Sequence, residues 1–366
     1  MKILFLSNHF LTVYLFRREL IESLMDKGYE VYIAMPHDEK DYFAKKGCKV
    51  IEFPLDRHGM NPVKDFKLIL RYIQTIKKIN PDLILSYTIK PNIYGGICCK
   101  LLNKPFIPNI TGLGVGMDKN IFIQKLLIYM YRLAFNRQKY VFVQNESNRE
   151  FMEKNKIHPE NCILIPGSGV NLNQYNLMQY PPDDTVEFFF IARVMKAKGI
   201  EEYIEAAKYC KKKKYNVKFH VLGFCEDEYE KKLKELQKQE ILIYHGMSDN
   251  ILKFQKINHC TINPSYHEGM SNVLLETAAC GRPSLCSDIP GCNEIIDDNK
   301  SGFLFKPQDA QSLIYAIEKF LKLTYDERRK MGVNAHDKVK KKFDRNIVVN
   351  KYISVINKLL GDKINE

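Results

Sequence analysis

The stretch Cys260-Thr261-Ile262-Asn263-Pro264-Ser265-Tyr266-His267-Glu268-Gly269-Met270-Ser271-Asn272-Val273-Leu274-Leu275-Glu276 reads as a short apolar strand, a polar loop and the start of a helix running towards Cys280-Gly281. Strand, loop and helix in that order form the repeating unit of a parallel sheet. Such a helix start presents unpaired backbone N–H groups and the positive end of a dipole, which together favour an anion. Glu268 precedes the turn and Glu276 lies about two turns further on. Two carboxylates therefore flank the anion position and can accept hydrogen bonds from hydroxyls on either side of it. A sugar joined to a nucleotide diphosphate carries that pattern of groups.

Working outward, strand and helix patterns alternate along the whole chain. Lys2–Ser7, Glu30–Met35, Lys49–Phe53, Leu83–Thr88, Phe106–Thr111, Tyr140–Val143 and Cys162–Ile165 are short β-branched or aromatic runs. Helix-period segments separate them, including Tyr14–Lys27 ending at Gly28 and Val63–Ile79 after Pro62. The rhythm pauses at Gly169–Asp184, a polar stretch with Pro181 and Pro182 that reads as a linker. A second series follows: Val186–Ile191, Lys218–Leu222, Ile241–Tyr244, Cys260–Asn263, Ser284–Ser287 and Gly302–Phe305. The expected fold class is α/β, with two Rossmann-like doubly wound domains facing a cleft. Residues 1–180 form the first domain and 184–345 the second. A last helix within 346–366, with Val348, Tyr352, Val355, Ile356 and Leu359 at helical spacing, suits packing on its own domain or a return to the first. In such sheets ligands lie beyond the carboxyl ends of the strands, where the glutamate loop falls.

The second domain's first strand ends in Ile191-Ala192-Arg193-Val194-Met195-Lys196-Ala197-Lys198-Gly199. Arg193 offers a planar fork and Lys198 a mobile point charge, a combination suited to a diphosphate. A solvated turn in a lysine-rich chain is the competing reading, and the neighbouring glutamate loop argues against it. Glu268 and Glu276 do not read as a hydrolase pair: eight residues of helix span about 12 Å, whereas a retaining hydrolase holds its carboxyls about 5 Å apart.

The chain has 366 residues, 45% hydrophobic and 27% charged, which fits globular domains with cores of ordinary size. A formal charge of +13 implies an acidic partner, such as anionic lipid or a phosphorylated substrate. Lys211–Lys214 lacks any accompanying nucleic-acid motif or stacking platform, so no nucleic-acid partner is expected. Met1–Leu6 reads as a strand, no run is long enough to span a bilayer, and the 10 cysteines lack framework spacing. These features lead us to expect a cytoplasmic protein. Cys280, Cys286 and Cys292 recur at equal intervals without paired CxxC spacing, and read as small core residues; no metal site is expected. His245, His259 and His267 read as structural or loop histidines, with His267 beside Glu268.

Arg193 through Lys198-Gly199, the Pro264–Glu276 loop and its continuation Thr277-Ala278-Ala279-Cys280-Gly281-Arg282-Pro283 resemble the family 4 retaining glycosyltransferases, which have the GT-B architecture. Tyr87-Thr88-Ile89-Lys90-Pro91-Asn92-Ile93-Tyr94-Gly95, Asn109-Ile110-Thr111-Gly112-Leu113-Gly114 and Asn145-Glu146-Ser147-Asn148 resemble the bacterial branch that builds capsule, O-antigen and other lipid-linked glycans. The resemblance implies that Arg193 and Lys198 neutralise the donor diphosphate. It implies that Glu268 accepts hydrogen bonds from the donor sugar and Glu276 from the ribose. Gly269, Met270, Ser271 and Asn272 would meet sugar and phosphate, while Leu222-Gly223 and the Tyr244–Ser248 turn, His245 included, would border the base. It implies no cofactor and no metal, UDP as the nucleotide, a lipid-linked saccharide as acceptor, and front-face retention. A sugar-nucleotide 2-epimerase of the same architecture and a non-catalytic sugar-nucleotide-binding partner are the alternatives.

This chain departs from that pattern in its first half. Ser7-Asn8-His9-Phe10 stands where many relatives have a Gly-Gly turn, and Thr111-Gly112-Leu113-Gly114 where many have a histidine. Lys90, Arg57, His58 and Asp118 remain as candidates for acceptor contacts, each with an ordinary surface or turn role as the competing reading. Finally, Lys119–Lys139 interleaves apolar and basic residues, the pattern of either an interfacial helix at the anionic inner membrane face or a domain helix with basic ends.

Overall fold

A computed structural model describes residues 1–37, 41–53, 61–112, 121–136, 138–157, 162–182, 184–226 and 229–364. The chain divides into two compact units, Met1–Ser168 with Asn346–Glu366, and Gly169–Arg345.

The first unit has strands β1 (Lys2–Leu6), β2 (Glu30–Met35), β3 (Lys49–Glu52), β4 (Leu83–Tyr87), β5 (Phe106–Ile110), β6 (Val141–Val143) and β7 (Cys162–Leu164). They form a 7-stranded sheet in the order β3-β2-β1-β4-β5-β6-β7, and every pair is parallel. Its helices are α1 (Phe10–Phe16), α2 (Arg18–Asp26), α3 (Tyr42–Lys45), α4 (Pro62–Ile79), α5 (Gly96–Leu101), α6 (Ile121–Phe135) and α7 (Glu146–Lys154). A wide helical turn, Pro91–Gly95, leads into α5. The side-chain period of two along β1 explains the layering. Ile3 and Phe5 enter one apolar cluster, and Leu4 and Leu6 the opposite one. Each sheet face is thus covered, as an all-parallel sheet requires.

Where the sequence suggests one helix over Tyr14–Lys27, the structure has α1 and α2 separated at Arg17. Helix α1 starts earlier because the His9 ring accepts the Leu11 N–H at 3.0 Å, capping it at Phe10. At the break, the buried Arg17 guanidinium lies 4.6 Å from the Tyr87 ring centre and donates to Ser168 at 3.1 Å.

The second unit has strands β8 (Val186–Ile191), β9 (Val217–Leu222), β10 (Ile243–Tyr244), β11 (Cys260–Asn263), β12 (Ser284–Ser287) and β13 (Gly302–Phe305). Its 6-stranded parallel sheet has the order β10-β9-β8-β11-β12-β13. Helices α8 (Ile200–Lys212), α9 (Tyr229–Lys238), α10 (Ile251–Gln255), α11 (Asn272–Ala279), α12 (Ala310–Lys322) and α13 (Tyr325–Lys342) follow in sequence. Phe188 and Phe190 point into the large cluster and Phe189 and Ile191 into a small one on the other face. The last helix, α14 (Arg345–Ile364), sets Val348, Tyr352, Ile356 and Leu359 into the apolar cluster of the first unit.

Residues 169–180, which the sequence places in the first domain, lie in the second unit. Val170 bridges to Asp344, the Tyr180 hydroxyl donates to His259 O at 2.9 Å, and the buried Arg282 donates to Met178 O and Gln179 O. The stretch that reads as a linker is therefore packed structure.

Candidate active site

Strand ends bring the two sequence motifs of the second unit together. Beyond β8 and β9 the backbones stay in contact, because Gly223 adopts φ +150° and any Cβ there would lie 1.8 Å from Ala192 O. Val194 N–H donates to Phe224 O at 2.8 Å, and Glu226 N–H to Val194 O at 3.0 Å. This short ladder pairs Val194 with Cys225 and lets the side chains of Arg193 and Glu226 meet on the diagonal, with Nη1 to Oε1 at 2.8 Å. The chain then makes a tight turn, Lys196–Lys198, and enters α8 through Gly199 at φ +75°. A Cβ on Gly199 would fall 2.0 Å from Pro264 O, so glycine is what allows this turn to seat against the glutamate loop. Tyr266 N–H donates to Ala197 O at 3.0 Å and completes the seam. Lys198 Nζ consequently reaches Glu268 Oε1 at 2.6 Å, and Ser265 Oγ donates to the same oxygen at 2.8 Å. The lysine and carboxylate side chains retain only 20% and 15% exposure, so this pair is less screened than a surface ion pair.

The start of α11 is held open. Asn263 Nδ2 donates to Ser271 Oγ at 2.7 Å, and Ser271 makes no side-chain cap to the helix behind it. The first turn carries no acid, and the buried Asn272 Oδ1 has no hydrogen-bond partner among the described residues. Ser271 N–H donates to Gly291 O at 3.0 Å, and Gly291, at φ +79°, admits Gly269 O where a Cβ would lie 2.4 Å away. The Gly269-Met270-Ser271 turn is thus braced from below. Met270 is buried in an apolar cluster with Leu274 and Ile295. An uncapped, acid-free helix start beside a lysine is a site for an anion.

Glu276 sits in the second turn of α11. Its surface is only partly covered, yet its carboxyl is enclosed by protein, and this enclosure pushes its pKa up to about 7. Arg345 and a hydrogen bond with Tyr175 pull in the opposite direction without offsetting the burial. Arg345 is itself fixed, donating through Nε and Nη2 to Gly169 O at 3.1 and 3.0 Å.

His245 follows β10, beside the contact between Gly223 N–H and Gly246 O at 2.9 Å. Its Nε2 meets His220 Nδ1 at 2.8 Å and its ring lies 4.9 Å from that of Phe254. Burial, then His220 and Lys253, push its pKa down, which keeps the ring neutral at pH 7. The other nitrogen of His220 meets Glu187, which also pairs with Lys218 at 3.4 Å.

Arg193 and Lys198 are both paired with acids, Glu226 and Glu268 respectively. Glu276 belongs to a separate group with Tyr175 and Arg345. Lys90, a sequence candidate for acceptor contact, pairs with Asp65 at 2.8 Å, and Tyr94 joins the same carboxylate at 3.0 Å. Arg57, His58 and Asp118 lie outside the described residues, as do Leu113 and Gly114. His267 is exposed, while Cys280, Cys286 and Cys292 are core residues. Sequence reasoning missed Ser265, Glu226, Tyr175, Arg345, Asn263 and Gly291. Ser265 and Asn263 could have been found as polar residues inside the quoted stretch; the others stand far from it in sequence.

Two doubly wound parallel sheets, with cations and an open helix start gathered at the strand ends of the second, define a glycosyltransferase of the GT-B class. The family described as "Glycosyl transferases group 1" matches residues 179–338, and "Glycosyl transferase 4-like" matches residues 2–145. The chain belongs to the family 4 glycosyltransferases and is a transferase enzyme. It is 27% identical over 384 residues to the N,N'-diacetylbacillosaminyl-diphospho-undecaprenol alpha-1,3-N-acetylgalactosaminyltransferase of Campylobacter jejuni, covering 98% of this chain and 99% of that protein. It is 23% identical to the UDP-Gal:alpha-D-GlcNAc-diphosphoundecaprenol alpha-1,3-galactosyltransferase of Escherichia coli, covering 76% of this chain and 78% of that protein. Among solved structures, Anabaena HepE in complex with UDP aligns with a TM-score of 0.79 at 18% identity, covering 98% of this chain and 100% of HepE.

Proposed function

We propose that this chain transfers a hexose or N-acetylhexosamine from a UDP-sugar to a lipid-linked saccharide with retention of anomeric configuration. The observation that carries the reading is the Lys198–Glu268 pair, 2.6 Å apart, next to a helix start with no acid in its first turn. The diphosphate settles at the N-terminus of α11 and takes Arg193 and Lys198 as counter-ions. Glu268, released from Lys198, accepts from donor-sugar hydroxyls, and Glu276 from the ribose. Charge that builds on the leaving phosphate is stabilised by the two cations and by oriented N–H groups. The protein groups supply this without a metal. In front-face retention the departing phosphate oxygen takes the proton of the acceptor hydroxyl as that hydroxyl's oxygen bonds to the anomeric carbon. UDP is supported by the name of the Escherichia coli relative, and a diphospho-undecaprenol acceptor by the names of both relatives.

Contact with anionic lipid is part of this reading, since the acceptor is membrane-bound. Among the described residues no helix is long and apolar enough to cross a membrane. Helices α4 and α6 both pack against the Pro91–Gly95 turn. Phe66 and Leu70 on α4, with Phe122, Leu126 and Tyr129 on α6, are exposed apolar side chains. Lys64, Lys67, Arg71, Lys125 and Arg132 are exposed on the same helices. Apolar insertion with basic attraction is how a peripheral protein holds an anionic surface.

The test is a thermal-shift screen of UDP-, GDP- and dTDP-sugars, followed by transfer to an undecaprenyl-diphosphate-linked saccharide with and without EDTA. The expected result is stabilisation by UDP-sugars and an α-linked product from an α-linked donor, unaffected by EDTA. Turnover of the nucleotide sugar without acceptor would instead mark an epimerase, and inversion would contradict the proposed mechanism.

A further inference from the structure

Both cations of the donor site rest on carboxylates, and only one of those carboxylates has a part in the reaction proposed above. Glu268 is assigned to the sugar. Glu226 has no such role, yet the ladder through Val194, Phe224 and Glu226 fixes its backbone and holds its carboxylate 2.8 Å from Arg193 Nη1. The side chains are 45% and 33% exposed, so their pairing is readily exchanged for water or another anion. A carboxylate presents two oxygens to a guanidinium much as a phosphate does.

We propose that Glu226 is a built-in counter-anion of the donor site: it occupies Arg193 when no nucleotide diphosphate is bound and gives way when one arrives. The inference rests on the diphosphate role of Arg193. No covalent step is involved. One charge-assisted hydrogen bond is exchanged for another, and the freed carboxylate hydrates where it stands. Because its backbone is tied to Val194, Glu226 cannot leave the neighbourhood. It therefore opposes the bound diphosphate and retakes Arg193 as the nucleoside diphosphate departs. Weaker product binding and faster product release follow, which matters in an enzyme whose product carries the same diphosphate as its substrate.

The experiment titrates the full chain with UDP by calorimetry and measures UDP release by stopped-flow displacement, for wild type, Glu226→Gln, Arg193→Gln and the double variant. Matched melting temperatures confirm that each variant folds. Glu226→Gln is expected to tighten UDP binding about two- to fivefold, the range that an exposed ion pair converts to, and to slow its release in proportion. The tightening shrinks in the Arg193→Gln background. Glu226→Ala repeats the test without a side-chain carbonyl that could still hold Arg193. If both Glu226 variants leave UDP affinity unchanged or weaken it while Arg193→Gln weakens it, the counter-anion role is wrong and the donor-site reading stands. If Arg193→Gln leaves UDP affinity unchanged, the diphosphate role of Arg193 fails and the inference falls with it.

Discussion

Helices α8 and α11 leave neighbouring parallel strands, β8 and β11, yet their first turns are opposites. Helix α8 begins with Glu201 and Glu202, the first paired with Lys232 and the second accepting the Tyr266 hydroxyl at 2.7 Å. Its positive end is satisfied by its own acids. Helix α11 begins at Ser271 and Asn272 with no acid and no side-chain cap. The division of labour follows from this difference. The loop before α8 carries the cations Arg193 and Lys198, each paired with an acid, and α11 presents a helix dipole that no side-chain cap or first-turn acid offsets.

The largest expected effect removes the cation at the seam between the two loops. Lys198→Ala lowers turnover about a hundredfold or more in a steady-state transfer assay, and near-native turnover would contradict its role. Next, Asn272→Asp places a carboxylate at the proposed diphosphate position. UDP affinity falls about tenfold, while the melting temperature holds because an acid suits that end of a helix. Glu201→Gln, the matching change on α8, alters UDP affinity by less than about twofold; equal responses at the two helices would erase the contrast between them.

A glycine pair gives a smaller effect. Gly199→Ala meets Pro264 O and prises the two loops apart, lowering both melting temperature and turnover. Gly246→Ala, at φ +66° with nothing within 4 Å, bears only the left-handed backbone cost of about 1 kcal/mol. Similar melting temperatures for the two variants would show that the loop seam is not tight.

The smallest effect is in pH. The Glu276 carboxyl is raised to about 7, so the folded chain keeps a proton that the unfolded chain loses near pH 4. Stability therefore falls as pH rises through that window, by up to about 3 kcal/mol. Glu276→Gln removes the penalty: it melts higher than wild type at pH 8 and equally near pH 4. Its UDP affinity is lower at pH 8, where the wild-type carboxylate is ionised and able to accept from ribose. A melting difference independent of pH would contradict the enclosure of that carboxyl.

Much of the scaffold was legible because buried parallel strands write themselves as short apolar runs. Val186–Ile191, Cys260–Asn263, Ser284–Ser287 and Gly302–Phe305 stand in the structure with the bounds their residues suggest. The break at Arg17 was not legible, since it depends on Tyr87 and Ser168, far away in sequence. Within the site, Lys198 and Glu268 could be proposed from charge and position, and the structure brings them together. Their setting could not. Glu226 faces Arg193 only because Gly223 lets two backbones run on side by side, and Arg345 influences Glu276 only because the chain returns past Gly169. Side-chain type is local information, whereas partnership across strands depends on the fold. The pairing of Lys90 with Asp65 is a further partnership across the fold that neither residue's type discloses.

The most direct test is a crystal structure of the chain with UDP. The account predicts the diphosphate within hydrogen-bond reach of the N–H groups that open α11, with Arg193 and Lys198 turned onto it and Glu226 and Glu268 released from them. A diphosphate bound elsewhere, with both ion pairs intact, would contradict it.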